Sequence, residues 1–303
     1  MERGSGSENI GIGADGITGE YAPEPLEEQI PRTRSSGIGA LREAPEMSRN
    51  QHNQAVREGK LASVHSWELV TAVDGPGTRM TLFLAGCPLR CQYCHNPDTF
   101  QMRSGHAVTL TDAFNLVKRY SAIFKVTGGG LTISGGEALM QVNFARNLLE
   151  KCHQEGIHTC LDTSGFLGAN LADADLNNLD LVLLDVKSGD ESTYQRVTGR
   201  PLAPTITFGD RLAEAKVPVW VRFVLVPGLT DAPENIAKVA QIARRWPNLE
   251  RLEILPFHQM ARDKWENLGL HYQLEDTPVP TKEQVEVAKR IMREQGIKQV
   301  FSS

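Results

Sequence analysis

Three cysteines stand within eight residues of one another in the run Gly86-Cys87-Pro88-Leu89-Arg90-Cys91-Gln92-Tyr93-Cys94-His95-Asn96. Thiolates are soft donors suited to zinc, copper(I) or iron–sulfur clusters, and a compact loop can turn three of them toward one ion or cluster. The count of three is informative. A structural zinc site closes with four ligands, whereas a cubane cluster held by three thiolates leaves one iron open to a small molecule. A zinc knuckle with His95 as its fourth ligand is the competing reading. The chain has five cysteines, all between Cys87 and Cys160. An odd, clustered set is not a disulfide framework and points, in a reducing compartment, to metal or redox chemistry. Cys152 and Cys160 read as packing cysteines on a helix and a strand.

The elements that must position these thiols alternate. Apolar, β-rich runs predict strands at Met80–Ala85, Leu131–Ser134, His158–Leu161, Leu181–Leu184, Val217–Val224 and Leu252–Leu255. Helical patterns fall between and after them, at Thr111–Phe124, Leu139–Glu155, Asn170–Asn178, Phe208–Ala215, Pro233–Arg245 and Thr281–Gln295. Thr111–Asp112 reads as an N-cap before the first helix. Such alternation implies parallel βαβ units with right-handed crossovers. Near-continuous apolar runs such as Leu181–Leu184 imply strands covered on both faces.

The unusual polar residues follow the strands. Gly86–Cys87 follows the first, Gly135–Gly136–Glu137 the second and Asp162–Thr163–Ser164 the third. Asp185 and Lys187 follow the fourth, Pro227–Gly228 the fifth and His258 the sixth. Active sites of parallel α/β folds gather at the carboxyl ends of the strands, so these six segments are expected on one face. Gly135 and Gly136 allow close backbone approach to a ligand. Asp185 and Lys187, two apart past a strand, share a face. Asp162 and Asp185, at neighbouring strand ends, suit a hard cation.

The C-x3-C-x2-C spacing, with an aromatic residue before the third cysteine, resembles the cluster loop of radical S-adenosylmethionine (SAM) enzymes. The runs Val73–Arg79, Tyr93–Thr99 and Ser134–Ala138 resemble the glycyl-radical-enzyme activases. Glu155–Thr163, Leu184–Lys187 and Pro256–His258 narrow the likeness to the activases of pyruvate formate-lyase. It extends over roughly residues 64–301. The fold implied is an incomplete (β/α)6 TIM-like barrel of parallel strands with outer helices.

By this resemblance, Cys87, Cys91 and Cys94 hold a 4Fe–4S cluster whose open iron chelates SAM. Reductive cleavage gives methionine and a 5′-deoxyadenosyl radical, which abstracts hydrogen from one glycine of pyruvate formate-lyase. Tyr93, His95, Gly135, Gly136, Glu137, Asp185, Val186, Lys187 and His258 are the expected SAM contacts. Asp162, Thr163, Leu183 and Asp185 are expected to hold a monovalent cation. Asp74, Arg79 and Arg222 are expected to receive the substrate peptide. Reduced flavodoxin or a similar low-potential donor is expected to supply the electron, and a monomer is the expected working form. Other activases in this superfamily often carry an inserted domain with further cysteine-rich clusters; only two cysteines remain here outside the triplet, which favours the compact member. Activation of another glycyl radical enzyme is an alternative within the same chemistry. A metal- or cluster-binding regulatory module without catalysis is the alternative from another class, although such a module would not need Gly136, Asp185, Lys187 or His258.

Composition bounds the rest. The 303 residues carry a formal charge of −5 and 40% apolar residues, which is ordinary for a soluble globular chain. A mildly acidic sequence without a basic run argues against nucleic-acid binding. No run approaches the length of a membrane span and no secretory signal is visible, so a cytoplasmic location is expected. Residues 1–60 contain no Phe, Trp or Cys. They read as a disordered extension, with a short helix around Ala40–Glu46, ahead of one domain over residues 61–303.

Overall fold

The structure, a computed structural model, describes residues 12–13, 16–17, 39–71 and 73–302. Each predicted strand becomes one. They are β2 (Arg79–Leu84), β4 (Gly130–Gly135), β5 (His158–Thr163), β6 (Leu181–Asp185), β7 (Val219–Leu225) and β8 (Leu249–Pro256). The six lie side by side in chain order and run parallel. Side chains along β4 and β6 are buried on both faces up to the last residue, as continuous apolar runs require.

Helices cover the sheet. They are α2 (Leu110–Arg119), α3 (Ser121–Thr127), α4 (Val142–Gln154), α5 (Glu191–Thr198), α6 (Ala203–Glu214), α7 (Pro233–Arg244), α8 (Arg262–Asn267) and α9 (Lys282–Glu294). The expected helix Thr111–Phe124 is two, broken at Tyr120, and its cap is Thr109, whose hydroxyl accepts from the Asp112 amide at 3.0 Å. Residues 170–178 hold short 3₁₀ turns rather than an α-helix. α5 was not foreseen, although Asp190 caps its start and Gly199, at φ 71°, ends it; these are ordinary helix boundary signals.

Three further strands extend the sheet to nine, in the order β9-β8-β7-β6-β5-β4-β2-β1-β3. β9 (Val300–Ser302) is parallel to β8. β1 (Leu61–Thr71) is antiparallel to β2 and to β3 (His106–Thr109). The outermost strands do not pair with each other among the described residues, so the barrel stays open, as the incomplete (β/α)6 architecture requires.

The N-terminal expectation needs correction. Residues 40–46 form no helix; the helix lies at α1 (Arg49–Arg57), where Ser48 and Gln51 make a reciprocal capping box. From Gly39 onward the segment packs. Leu41 is buried in the main core, the Ala44 amide donates to Ala107 O at 2.7 Å, and Glu43 pairs with His106. The reason is the β3 edge, whose unpaired backbone groups accept a neighbouring chain. Most of the remaining expected extension, residues 1–38, lies outside the described residues apart from a two-residue pairing of Ile12–Gly13 with Gly16–Ile17.

Candidate active site

At the carboxyl ends of the parallel strands lies a cavity of about 320 Å³. The loop after β2 supplies Cys87, Cys91, Tyr93, Cys94 and His95, and β4 supplies Ser134, Gly135 and Gly136. β5 contributes Asp162 and Thr163, β6 Asp185 and Lys187, β7 Arg222, and the end of β8 His258; Asp74 closes the wall. Five of the six strand-end segments read from the sequence therefore converge fully or in part. The exception is Pro227–Gly228, which does not reach the cavity wall.

The cysteine loop is held by its own backbone. Gly86 N donates to Thr99 O at 2.7 Å, Cys87 N to Phe100 O at 3.1 Å, Arg90 N to Thr198 O at 2.9 Å and Gln92 N to Val197 O at 3.0 Å. Gly86 adopts φ 97°, a conformation open to glycine. The backbones of the two loops nearly touch, since a Cβ on Gly136 would lie 2.4 Å from Gly86 O and 3.0 Å from Cys87 Cβ. Burial pushes all three thiols up, Cys94 to about 12. Thiolates in this nook need a cation to compensate their desolvation, and binding one releases protons. Among the described residues no three His, Cys, Asp or Glu side chains form a single-ion site. The three soft thiols that line one cavity are the donor set that a cluster takes.

Beside the thiols lies a charge network. Lys187 Nζ is 3.0 Å from Asp185 Oδ2, and Arg222 Nε is 3.3 Å from Asp185 Oδ1. Arg222 also pairs with Asp162 and stands 3.8 Å from Asp74 Oδ1. Burial opposes ionisation of Asp185, but Lys187 and Arg222 outweigh it and lower its pKa. Burial alone would depress Lys187; Asp185, Cys91 and Tyr93 reverse that and hold the ammonium charged. Asp162 goes the other way. Burial raises it to about 6 despite Arg222 and the hydroxyl of Ser134, which donates to Oδ2 at 2.6 Å. The positive charge that Asp162 and Asp185 share in this structure is the guanidinium of Arg222, between the carboxylates read as a cation site. Thr163 lines the cavity, while its hydroxyl donates to Glu137 Oε1 at 2.6 Å.

Several expected contacts stand elsewhere. Glu137 is buried behind the wall, where its carboxylate accepts from the Thr163 hydroxyl, the Ser164 amide at 3.0 Å and the Leu139 amide at 3.2 Å. It braces β4 to β5. Val186 and Leu183 are fully buried and do not line the cavity. Arg79 is corrected outright as a peptide contact, since it has no exposed surface. Its Nε donates to Thr132 Oγ1 at 2.7 Å and its Nη2 to Leu131 O at 2.5 Å. Thr132 Oγ1 in turn donates to Asp74 O at 2.7 Å, so Arg79 reaches the cavity only by steadying the Asp74 loop. His95 and His258 face each other edge to face, with ring centroids 4.9 Å apart. Burial, then His258, lowers the pKa of His95. The hydroxyl of Tyr93 is buried without a hydrogen-bond partner, and Lys187 Nζ lies 5.9 Å from the ring centroid.

Comparison with known proteins bears on this geometry. The model of the Radical SAM superfamily matches residues 81–240. The chain is 39% identical over 243 residues to the pyruvate formate-lyase 1-activating enzyme of Escherichia coli K12, covering 80% of this chain and 99% of that protein. It is 41% identical over 240 residues to the pyruvate formate-lyase-activating enzyme of Staphylococcus epidermidis, covering 77% and 96%. Among solved structures, a radical SAM methyltransferase from Sphaerobacter thermophilus superposes with a TM-score of 0.54 at 14% identity, over 85% of this chain and 82% of that one. Streptococcus suis SuiB bound to S-adenosylmethionine gives 0.51 at 15% identity, over 74% and 45%. Both support the fold.

Proposed function

The chain belongs to the radical SAM superfamily and, within it, to the pyruvate formate-lyase-activating enzymes, and from that premise we propose that it installs the glycyl radical of pyruvate formate-lyase at the cavity walled by Cys87, Cys91 and Cys94. The observation that carries this reading is the meeting of three thiols, Cys91 buried and Cys87 and Cys94 partly so, with the Asp185–Lys187 pair in one cavity. A 4Fe–4S cluster and SAM, when bound, supply reductive cleavage of the sulfonium to methionine and removal of a hydrogen atom from the partner's glycine.

The chain's own residues bind, orient and shield. Cys87, Cys91 and Cys94 would hold the cluster, each from the wall of the cavity. Gly135 and Gly136 offer backbone where a Cβ would collide with Leu84 or Gly86. Lys187, held charged, receives a carboxylate; Asp185, held ionised, accepts hydroxyl or ammonium protons. Tyr93, His95 and His258 form an aromatic rim against which an adenine stacks. Asp74 and Arg222 line the cavity and are offered to an entering peptide. Asp162 and Asp185 are the carboxylates that would hold a monovalent cation beside the SAM site. The electron comes from reduced flavodoxin or a comparable low-potential protein, and the enzyme works as a cytoplasmic monomer. No described helix is long and apolar enough to cross a membrane.

Anaerobic reconstitution tests the reading. The loaded protein should bind four irons, turn SAM into 5′-deoxyadenosine on reduction, and generate a glycyl-radical EPR signal on added pyruvate formate-lyase. A reconstituted protein with neither cluster signal nor 5′-deoxyadenosine overturns it. Cleavage of SAM without a radical on that partner points to another glycyl radical enzyme.

A further inference from the structure

We propose that α8 clamps the cysteine loop from behind, with Trp265 as the positioning residue for Cys94; this rests on the cluster-binding reading above. The loop does not pack into the main core. Leu89, Cys91, Tyr93 and Phe100 form a separate apolar cluster with Phe257, Ala261, Trp265, Leu268 and Tyr272. α8 presents Arg262, Asp263, Glu266 and Asn267 to solvent and turns Trp265 inward, 7% exposed. The indole Nε1 donates to Cys94 O at 2.9 Å. Its ring meets Phe100 edge-on at 5.9 Å and Tyr272 at 5.4 Å. The preceding residue reaches the same segment. Lys264 Nζ donates to Asn96 Oδ1 at 2.7 Å and lies 3.4 Å from Asp98 Oδ2, and Asp98 is 3.2 Å from His65 Nε2 on β1. The stretch from Cys94 to Asp98 is thus fixed at its start by an indole and at its end by an ammonium.

Two consequences follow for a cluster ligand. The N–H donated to the Cys94 carbonyl draws electron density from the peptide attached to that thiolate, which favours the more negative, reduced cluster. The aromatic stack keeps water from the back of the loop, where local electrostatics are strong in proportion to dryness. Outer-shell partners of this kind are worth about 10–100-fold in metal affinity.

Trp265→Phe keeps the aromatic packing and removes the donor. Parent and variant are reconstituted anaerobically, and three quantities are measured: the rate of iron loss to a chelator, the midpoint potential from EPR-monitored titration, and the melting temperature before loading. The variant should melt with the parent, lose iron about tenfold faster, and titrate at a lower potential. Equal iron loss and equal potential in variant and parent overturn the clamp. Should the indole exchange unfold the chain, Lys264→Met decides, since that side chain is partly exposed: faster iron loss supports the clamp and an unchanged rate overturns it. A parent that takes up no iron brings down the functional reading itself, whereas a loading parent with an unaffected variant brings down the clamp alone.

Discussion

Lys187 is buried yet charged, because Asp185 lies 3.0 Å from its ammonium and Cys91 and Tyr93 add to the field. A ligand carboxylate entering the cavity meets a cation largely withdrawn from solvent, where a charge-assisted bond is worth about 1.5–3 kcal/mol. Lys187→Met should therefore weaken SAM binding by roughly 10–100-fold, measured by the SAM concentration that perturbs the reduced cluster's EPR signal. An unchanged concentration dependence removes Lys187 from the SAM site. Asp162 makes a pH prediction. Its folded pKa of about 6 lies above the ordinary value of 3.8, so the folded state binds the extra proton. The stability it contributes is present below the unfolded value and is lost as pH rises through about 6. The advantage of the parent over Asp162→Asn should shrink between pH 4 and pH 7, read from denaturant melts across that range. An advantage that grows with pH contradicts the buried, raised carboxyl. At this scale the sequence was most legible where spacing was unusual, as with the cysteines, Asp185 and Lys187. It misled at Arg79 and Glu137, because a charged residue beside a motif looks alike whether it faces a cavity or spans two strands behind it.

The elements follow from patterning where each obeys one period. β4 and β6 are buried on both faces, and the apolar runs read from the sequence overlap all six parallel strands. β1 was missed because its pairing with β2 slips between Val64 and Ser66 and again between Leu69 and Thr71, and such irregularities break strict alternation. α8 was missed because it is six residues long and carries one inward anchor rather than a stripe. The loop after β4 carries the prediction at this scale. Gly136→Ala would force a Cβ to 2.4 Å from Gly86 O, which real contacts do not reach, so the cysteine loop must move away. Iron content after reconstitution should fall to less than half of the parent's, while the melting temperature of the unloaded protein changes little, because the clash lies in loops and not in the core. Full iron occupancy in this variant would show that the two loops yield without cost to the site.

The whole molecule has two unlike edges. One ends in the short strand β9; the other ends in β3, and residues 39–47 close over it with Leu41 4% exposed. The E. coli relative is spanned almost end to end by 243 residues of this chain, so about 60 of its 303 residues lie outside that match. The segment from Gly39 to α1 serves the scaffold and supplies no residue to the cavity wall. Leu41→Ala should cost about 2–4 kcal/mol in chemical denaturation and leave the yield of 5′-deoxyadenosine per cluster unchanged. A variant as stable as the parent would mean that the edge needs no cover.

The clamp on the cysteine loop has a consequence in time. Trp265 and Cys94 lie 171 positions apart, and the loop leaves the ribosome first. At about 5–20 residues per second, roughly ten to thirty seconds pass between synthesis of the last thiol and arrival of the residue that seats it. Through that interval the three thiols sit on a half-built sheet, open to zinc and to oxidants, with nothing behind Cys94. The hydrogen bond that seats Cys94 thus comes only with a nearly finished chain.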